Sequence, residues 1–382
     1  MKTIHTTVLV SSLRIGGAEQ LLLELLRNID RERFRVDICF LRNPGMLGSE
    51  VVKLNFPVKS DILRRRFDFL GILKLARHFK SERTDVLFMV NHRNTLFYGV
   101  LAAKIAGVRA IVNWENETFL KYNYHNLTMF GRHILHFGID KVVAAAQRHK
   151  DYIALIEKIP AGKIKVIYNG VDPRKFFSSL APGEAKAKLG IPPDSPVISI
   201  IAVLRPDKAH NVFLKAAQSV LKAVPEAHFL IVGDGPERDR LTQLTQDLGI
   251  GPCVHFLGFR RQLGDILAGV DINTLSSNPE QETLSVAAIE AMSVGIPIVC
   301  TDVGSMCEIV IPGKTGFLVR VGDSQGLADR LVELIRNPSM RNAMGEKARK
   351  LVQDELSADH MASAFEDLFW EVYENKKNRS FR

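Results

Sequence analysis

No run of eighteen consecutive apolar residues occurs in these 382 residues, so no stretch reads as a membrane-spanning helix. The opening residues, Met1 to Val10, lack the apolar core and small-residue cleavage site of a secretory signal and read directly as a strand. Cysteine is scarce: Cys39, Cys253, Cys300 and Cys307 lie mostly in apolar strand contexts, without metal-ligand spacing, which speaks against a disulfide framework and for a reducing cytoplasm. No Asp-x-Asp occurs and the histidines show no ligand spacing, so no metal or other cofactor is expected. G-x-G-x-x-G is absent as well, which removes the dinucleotide fingerprint and with it a dehydrogenase. No aromatic-basic module of a nucleic-acid-binding type is found.

What is there is a globular composition, 46% hydrophobic and 24% charged, long enough for two domains. The net charge of +9 is uneven. The first 180 residues hold 29 Lys and Arg against 16 Asp and Glu, whereas the remainder holds 22 against 26. A basic first half expects an anionic surface. The densest stretch runs from Ile62 to Lys80, with Phe69, Ile72, Leu73, Ala76 and Phe79 at helical spacing and Arg65, Arg66, Lys74, Arg77 and Lys80 elsewhere around the helix. Two readings stand: a basic amphipathic helix lying on anionic lipid, or a sheet-covering helix with a solvated basic face.

Strands rich in Val, Ile and Leu alternate with helical patterns along the whole chain, which predicts parallel α/β sheets. Strands are expected at Thr7–Ser11, Arg35–Phe40, Val86–Val90, Ala110–Asn113, Lys141–Ala145 and Ile164–Tyr168. The same order restarts with Val197–Val203, Phe229–Val232, Val254–Leu257 and Ile272–Leu275. The stretch 178–195, with Pro182-Gly183 and Gly190-Ile-Pro-Pro, reads as an irregular break between two doubly wound domains, 1–177 and 178–359. A last amphipathic helix covers about 360–382.

Candidate functional residues cluster after predicted strands, where α/β sheets bind ligands. Gly16-Gly17 opens a helix after the first strand and lets backbone approach an anion. Arg205 and Lys208 follow the first strand of the second half and offer two cations for a diphosphate. Val232-Gly233-Asp234-Gly235-Pro236 makes a sharp turn, and Gly258-Phe259-Arg260 ends another strand. Glu282-Thr283-Leu284-Ser285 leads into a helix whose Glu290 is set among apolar residues, where a carboxylate is costly without a partner such as a ribose.

Glu282 and Glu290, followed by Ala-Met-Ser-Val-Gly-Ile-Pro-Ile-Val, resemble the E-x7-E signature of retaining glycosyltransferases of family 4. Gly16-Gly17-Ala-Glu, Arg205 to Lys208, Val-Gly-Asp-Gly-Pro and Thr301 to Glu308 resemble further motifs of that family in the same order, over nearly the whole chain. The resemblance implies a GT-B fold, two Rossmann-like domains facing a central cleft, with the last helix crossing back onto the first. It implies a metal-independent enzyme that moves a sugar from a nucleoside diphosphate sugar to a glycan or lipid-linked acceptor with retention, in cell-surface polysaccharide or glycolipid synthesis. Glu282, Lys208 and Arg205 would be catalytic. Gly16, Gly17, Gly233, Phe259, Thr283, Leu284, Ser285 and Glu290 would bind the donor.

The sequence departs from the pattern in three places. Thr283-Leu284 replaces the usual Gly-Phe, and Val203 replaces an Arg, with Arg205 present instead. The stretch Asn113-Trp-Glu115-Asn-Glu lacks the family's acceptor-side histidine. His92 and His125 are the candidates to replace it, with Glu115 as an alternative polar group. That gap keeps two other readings open, a nucleotide-sugar epimerase on the same scaffold and a non-catalytic sugar-nucleotide-binding partner of a transferase complex. The expected location is the cytoplasm, at the inner face of the membrane.

Overall fold

The computed structural model describes residues 3–13, 16–65, 68–90, 93–116, 134–279 and 282–379. The chain divides into two units: the first joins the chain up to Asn169 to the segment from Ala358 onward, and the second runs from Gly170 to Ser357.

The first unit is built on β1 (Ile4–Val10), β2 (Phe34–Phe40), β3 (Val58–Lys59), β4 (Val86–Val90), β5 (Ala110–Glu115), β6 (Lys141–Ala144) and β7 (Ile164–Val166). These pair in the order β3-β2-β1-β4-β5-β6-β7, every pair parallel. Strands β1, β4 and β5 are buried along their whole length, which is why β4 reads as an unbroken apolar run and none of the three alternates apolar with polar residues. Four helices in this unit, α1 (Gly17–Asn28), α2 (Gly48–Lys53), α3 (Phe69–Glu82) and α4 (Arg93–Ala106), take their places between successive strands. The two-residue edge strand β3, exposed on both residues, has no apolar pattern to announce it.

The C-terminal helix, Ala358–Arg379, belongs to this unit. Its Phe365 packs edge-on against Phe88 and Trp114 (ring centroids 5.3 and 4.8 Å), and Phe369 against Phe34 and Phe88 (6.0 and 5.2 Å). Glu366 fastens its flank by accepting from the Asp30 N–H (2.8 Å) and Arg33 (3.0 Å).

The second unit carries β8 (Val197–Ile201), β9 (His228–Val232), β10 (Val254–Gly258), β11 (Ile272–Leu275), β12 (Ile298–Thr301) and β13 (Gly316–Val319), ordered β10-β9-β8-β11-β12-β13 and again all parallel. Its core brings Phe213, Phe229, Ile200 and Leu331 together.

Two expectations need correction. The stretch 178–195 is not irregular throughout: Pro182–Lys188 is a helix. Proline is tolerated at a first helical position because its missing N–H would have no partner there, and Glu184 reaches back to accept from the Ala181 N–H at 3.1 Å. The other concerns α3, whose buried face is Gly71, Ile72, Leu75, Ala76 and Phe79. Phe69 and Leu73, placed with the apolar set by spacing alone, point outward.

Candidate active site

Both sheets reverse strand order once, between β1 and β4 and between β8 and β11. Loops leaving the carboxyl ends of such strand pairs diverge and open a crevice. In the second unit those loops are 202–209 and 276–285, and they hold Arg205, Lys208 and Glu282. Residues 74 positions apart thus meet: Lys208 Nζ lies 2.6 Å from Glu282 Oε2.

The pair is held from several sides. Ser277 donates to the same Glu282 oxygen at 2.9 Å. Thr301 at the end of β12 donates to the Ser277 carbonyl (2.7 Å). Ser276 donates to the carbonyls of Lys208 (3.1 Å) and Ala209 (3.0 Å), and the Asn278 N–H to that of Asp207 (2.8 Å). Glu282 is 7% exposed, so removing its cation would leave a carboxylate in a poorly hydrated place. Ala209 pays for the tight turn with a left-handed φ of +46°, a strained conformation of the kind that gathers at functional loops.

Arg205 stands at the rim, half-exposed, and bonds Asp207 Oδ2 at 3.1 Å. Val203, at the position of the missing arginine, is exposed too. His210 opens the helix His210–Ala223 buried, with no hydrogen-bond partner for either ring nitrogen among the described residues. Burial, aided by Lys208, lowers its pKa to about 4 and keeps it neutral.

Thr283, Leu284 and Ser285 are buried behind Glu282. Ser285 caps the helix Val286–Ser293 by accepting from the Ala288 N–H at 3.3 Å, so the first-turn N–H groups open where an anion is favoured. Glu290 sits half-buried on that helix. Gly304, at φ +53°, supports the loop from beneath: a Cβ there would collide with the carbonyl oxygens of Glu282 and Thr283. Gly233 has a similar reason, since a Cβ would strike the Ala202 carbonyl below the Lys208 loop. Phe259 projects, exposed, after β10.

In the first unit, Gly16 and Gly17 follow β1 at its own reversal point. Gly16 is extended (φ −172°) and Gly17 begins α1. His92, His125 and Arg66 lie outside the described residues. Glu115 ends β5 buried, accepting from Asn113 at 2.7 Å, with His136 Nε2 3.8 Å away. Two groups of side chains that sequence spacing did not connect gather here: Asp37, Cys39 and His78, and Glu115, His136 and Glu157, each with potential ligand atoms within 4.8 Å of one another. In the first, Asp37 already receives His5 (2.9 Å), His78 (2.8 Å) and Thr7 (2.7 Å). Burial would raise the Asp37 pKa, but these hydrogen bonds outweigh it and hold the carboxyl far below the usual range. His5 has its other nitrogen against the Glu82 carbonyl at 2.6 Å. Both ring nitrogens therefore face acceptors, which favours the protonated ring, and its pKa is raised despite burial.

Sequence reading missed Ser277, Asp207 and His136. A serine closing a buried apolar strand is a usable signal for the first. The other two become visible only once the loops are folded.

Two parallel doubly wound units, one carrying a buried cation–carboxylate pair beside a capped helix start at its reversal point, define the GT-B class of sugar-transferring enzymes. The comparisons agree. Residues 183–351 match the model for glycosyl transferases group 1, and residues 15–175 that for glycosyltransferase family 4. The N-acetyl-alpha-D-glucosaminyl L-malate synthase of Bacillus anthracis is 31% identical over 320 residues, 82% of this chain and 81% of that protein. The UDP-Gal:alpha-D-GlcNAc-diphosphoundecaprenol alpha-1,3-galactosyltransferase of Escherichia coli is 24% identical over 400 residues, 98% of this chain and all of that one. Among solved structures, Anabaena Alr3699/HepE in complex with UDP-glucose superposes with a TM-score of 0.85 at 22% identity, covering 96% of this chain and 100% of that one. A glycosyltransferase of Rickettsia africae reaches 0.86 at 21%, covering 98% and 100%. The chain belongs to the group 1 glycosyltransferases of family 4 and is a glycosyltransferase. The epimerase and the non-catalytic binding partner find no support in these relatives.

Proposed function

We propose that the protein transfers a sugar from a nucleoside diphosphate sugar to a glycan or lipid-linked acceptor, with retention of anomeric configuration and without a metal ion. The observation that carries this reading is the Lys208–Glu282 contact of 2.6 Å at the β8/β11 reversal point. Glu282, its carboxylate fixed by Lys208 and Ser277, binds hydroxyls of the donor sugar. Lys208 and Arg205 neutralise the diphosphate as the glycosidic C–O bond breaks, which lowers the barrier where charge develops. Glu290 holds the ribose, and the helix start at Ser285, with Thr283 and Leu284, meets the phosphates. Gly233 supports the cation loop, and Phe259 lies against the base.

The acceptor hydroxyl attacks the face from which the diphosphate leaves, and a phosphate oxygen takes its proton. The protein supplies position and charge rather than a strong base. Gly16 and Gly17 serve the donor as well. A Cβ at Gly16 would touch only the flexible end of Glu19, so local packing is a weak reason for glycine and close approach of a ligand a better one. Glu115, and with it His136, serves the acceptor side, alongside His92.

UDP-glucose bound by the Anabaena structure and the lipid-linked diphosphate sugar in the name of the Escherichia coli relative support the two substrate classes. Cell-surface glycan or glycolipid synthesis at the inner face of the membrane follows from this reading. Among the described residues no helix is long and apolar enough to cross a membrane. The test is transfer assayed with UDP- and GDP-sugars on glycan and polyprenyl-diphosphate acceptors in the presence of chelator. The H1–H2 coupling of the transferred sugar is expected to report the same anomeric configuration in product as in donor. Inversion, or loss of activity with chelator, overturns the proposal.

A further inference from the structure

The outward face of α3 carries three exposed apolar side chains at its start. Phe69, Leu70 and Leu73 are 71%, 66% and 45% exposed. They lie together on the first turns, because residues three and four apart are neighbours on a helix, which sets Leu73 beside both Leu70 and Phe69. Sheet packing does not account for them, since Ile72, Leu75, Ala76 and Phe79 already fill that role. Exposed cations surround them: Arg64 and Arg65 just before the helix, Arg77 and Lys80 further along the same side. Lys74, half-buried, gives its Nζ to the Ile62 carbonyl (3.3 Å). The acids nearby are Asp61 and Asp68, and Asp68 is engaged by the Arg64 N–H at 2.9 Å.

The platform is fixed rather than hinged. The Asp68 N–H donates to the Tyr98 hydroxyl (3.0 Å), which fastens the helix start to α4. Gly71 lets the turn seat against Leu63, where a Cβ would collide. Because α3 begins after the carboxyl end of β3 and the sheet is all parallel, the apolar turn stands at the same edge of the sheet as the carboxyl ends of β1, β4 and β5.

We propose that the first turns of α3, with Arg64 and Arg65, dock this protein on an anionic lipid bilayer. Phe69, Leu70 and Leu73 enter the headgroup–acyl boundary, and the cations meet lipid phosphates. Charge decides between occupants. A second copy of the same face would set Arg64, Arg65, Arg77 and Lys80 against their equals, whereas an anionic leaflet complements them. Docking at this edge turns the carboxyl end of β5, where Glu115 stands, toward the membrane surface, which suits a lipid-linked acceptor; that last link rests on the function proposed above, but membrane binding itself does not.

Co-sedimentation of the full chain with phosphatidylcholine vesicles, and with the same vesicles carrying 30% phosphatidylglycerol (on the order of plasma-membrane anionic content), tests the surface. Binding is expected to the anionic vesicles only and to weaken with salt. Phe69→Ser/Leu70→Ser/Leu73→Ser is expected to lower the partition coefficient about tenfold or more, and Arg64→Gln/Arg65→Gln to lower it by several-fold. Transfer to a water-soluble acceptor and the melting temperature remain unchanged in both variants. Equal binding to neutral vesicles, or no loss in the triple variant, overturns the proposal. So does a wild-type dimer that the triple variant splits, since a second copy would then cover this face. If transfer fails in wild type while anionic binding persists, the reaction is wrong and the docking surface stands.

Discussion

The two units share a topology and differ in how their reversal points are furnished. In the second, short loops after β8 and β11 are stitched to one another, and Lys208, Glu282 and Ser277 are already in contact. In the first, the corresponding edge is basic, carries an exposed apolar helix turn, and keeps its densest polar contacts deep in the sheet around Asp37 and Glu115. On the function proposed above, the difference teaches that one half is built for a ligand of constant chemistry, a sugar nucleotide, whose charge can be met by fixed partners, while the other half would meet a substrate and a surface that vary.

The comparison breaks first at Lys208. On the proposed function, Lys208→Ala removes the cation that meets the diphosphate and strands Glu282, so kcat/KM should fall about a hundredfold or more; a loss below fivefold would remove the second unit's claim to a preassembled site. In the first unit the largest expected effect is on folding. Phe365→Ala empties a cluster of four aromatic rings and should cost about 3–5 kcal/mol, read by chemical denaturation, while donor affinity per folded molecule stays the same.

The units should also respond to pH with opposite signs. His5 has a raised pKa, so its stabilising contribution is complete below its ordinary value near 6.5 and is lost as pH rises through the folded value. Asp37, held low, contributes above its ordinary value near 3.8 and loses that only in strong acid. His210, at about 4, takes up a proton more readily when unfolded, so the second unit loses stability as pH falls from 6.5 toward 4. Melting curves of wild type, His5→Gln and His210→Asn between pH 5 and 8 separate the two: His5→Gln should flatten the alkaline slope and His210→Asn the acid one. The smallest effect expected is a gain. Ala209→Gly relieves the positive φ and should add about 0.5–1 kcal/mol of stability.

Much of this fold could be read from the chain, for a physical reason. Strands buried on both faces announce themselves, and β4, β5 and β11 begin where their apolar runs begin. The exposed edge strand β3 and the helix Pro182–Lys188 did not, one only two exposed residues long and the other hidden behind proline and glycine. For α3 spacing identified a helix but assigned Phe69 and Leu73 to the wrong face, since period alone cannot say which side meets the sheet. At the site, Lys208 and Glu282 were named from motifs, but their contact depends on β8 lying beside β11. Asp207 came only with that arrangement, and His136 only with the first unit folded around Glu115.

Glu290 gives the most direct measurement. It lies half-buried on the helix Val286–Ser293, and the proposed function gives it the ribose. Calorimetric titration of UDP and GDP into wild type and Glu290→Ala, with melting temperatures in parallel, isolates that role. The account predicts a nucleotide affinity lowered about ten- to a hundredfold, the size of one lost charge-assisted hydrogen-bonded contact, at a nearly unchanged melting temperature. Unchanged affinity in a well-folded variant would contradict it.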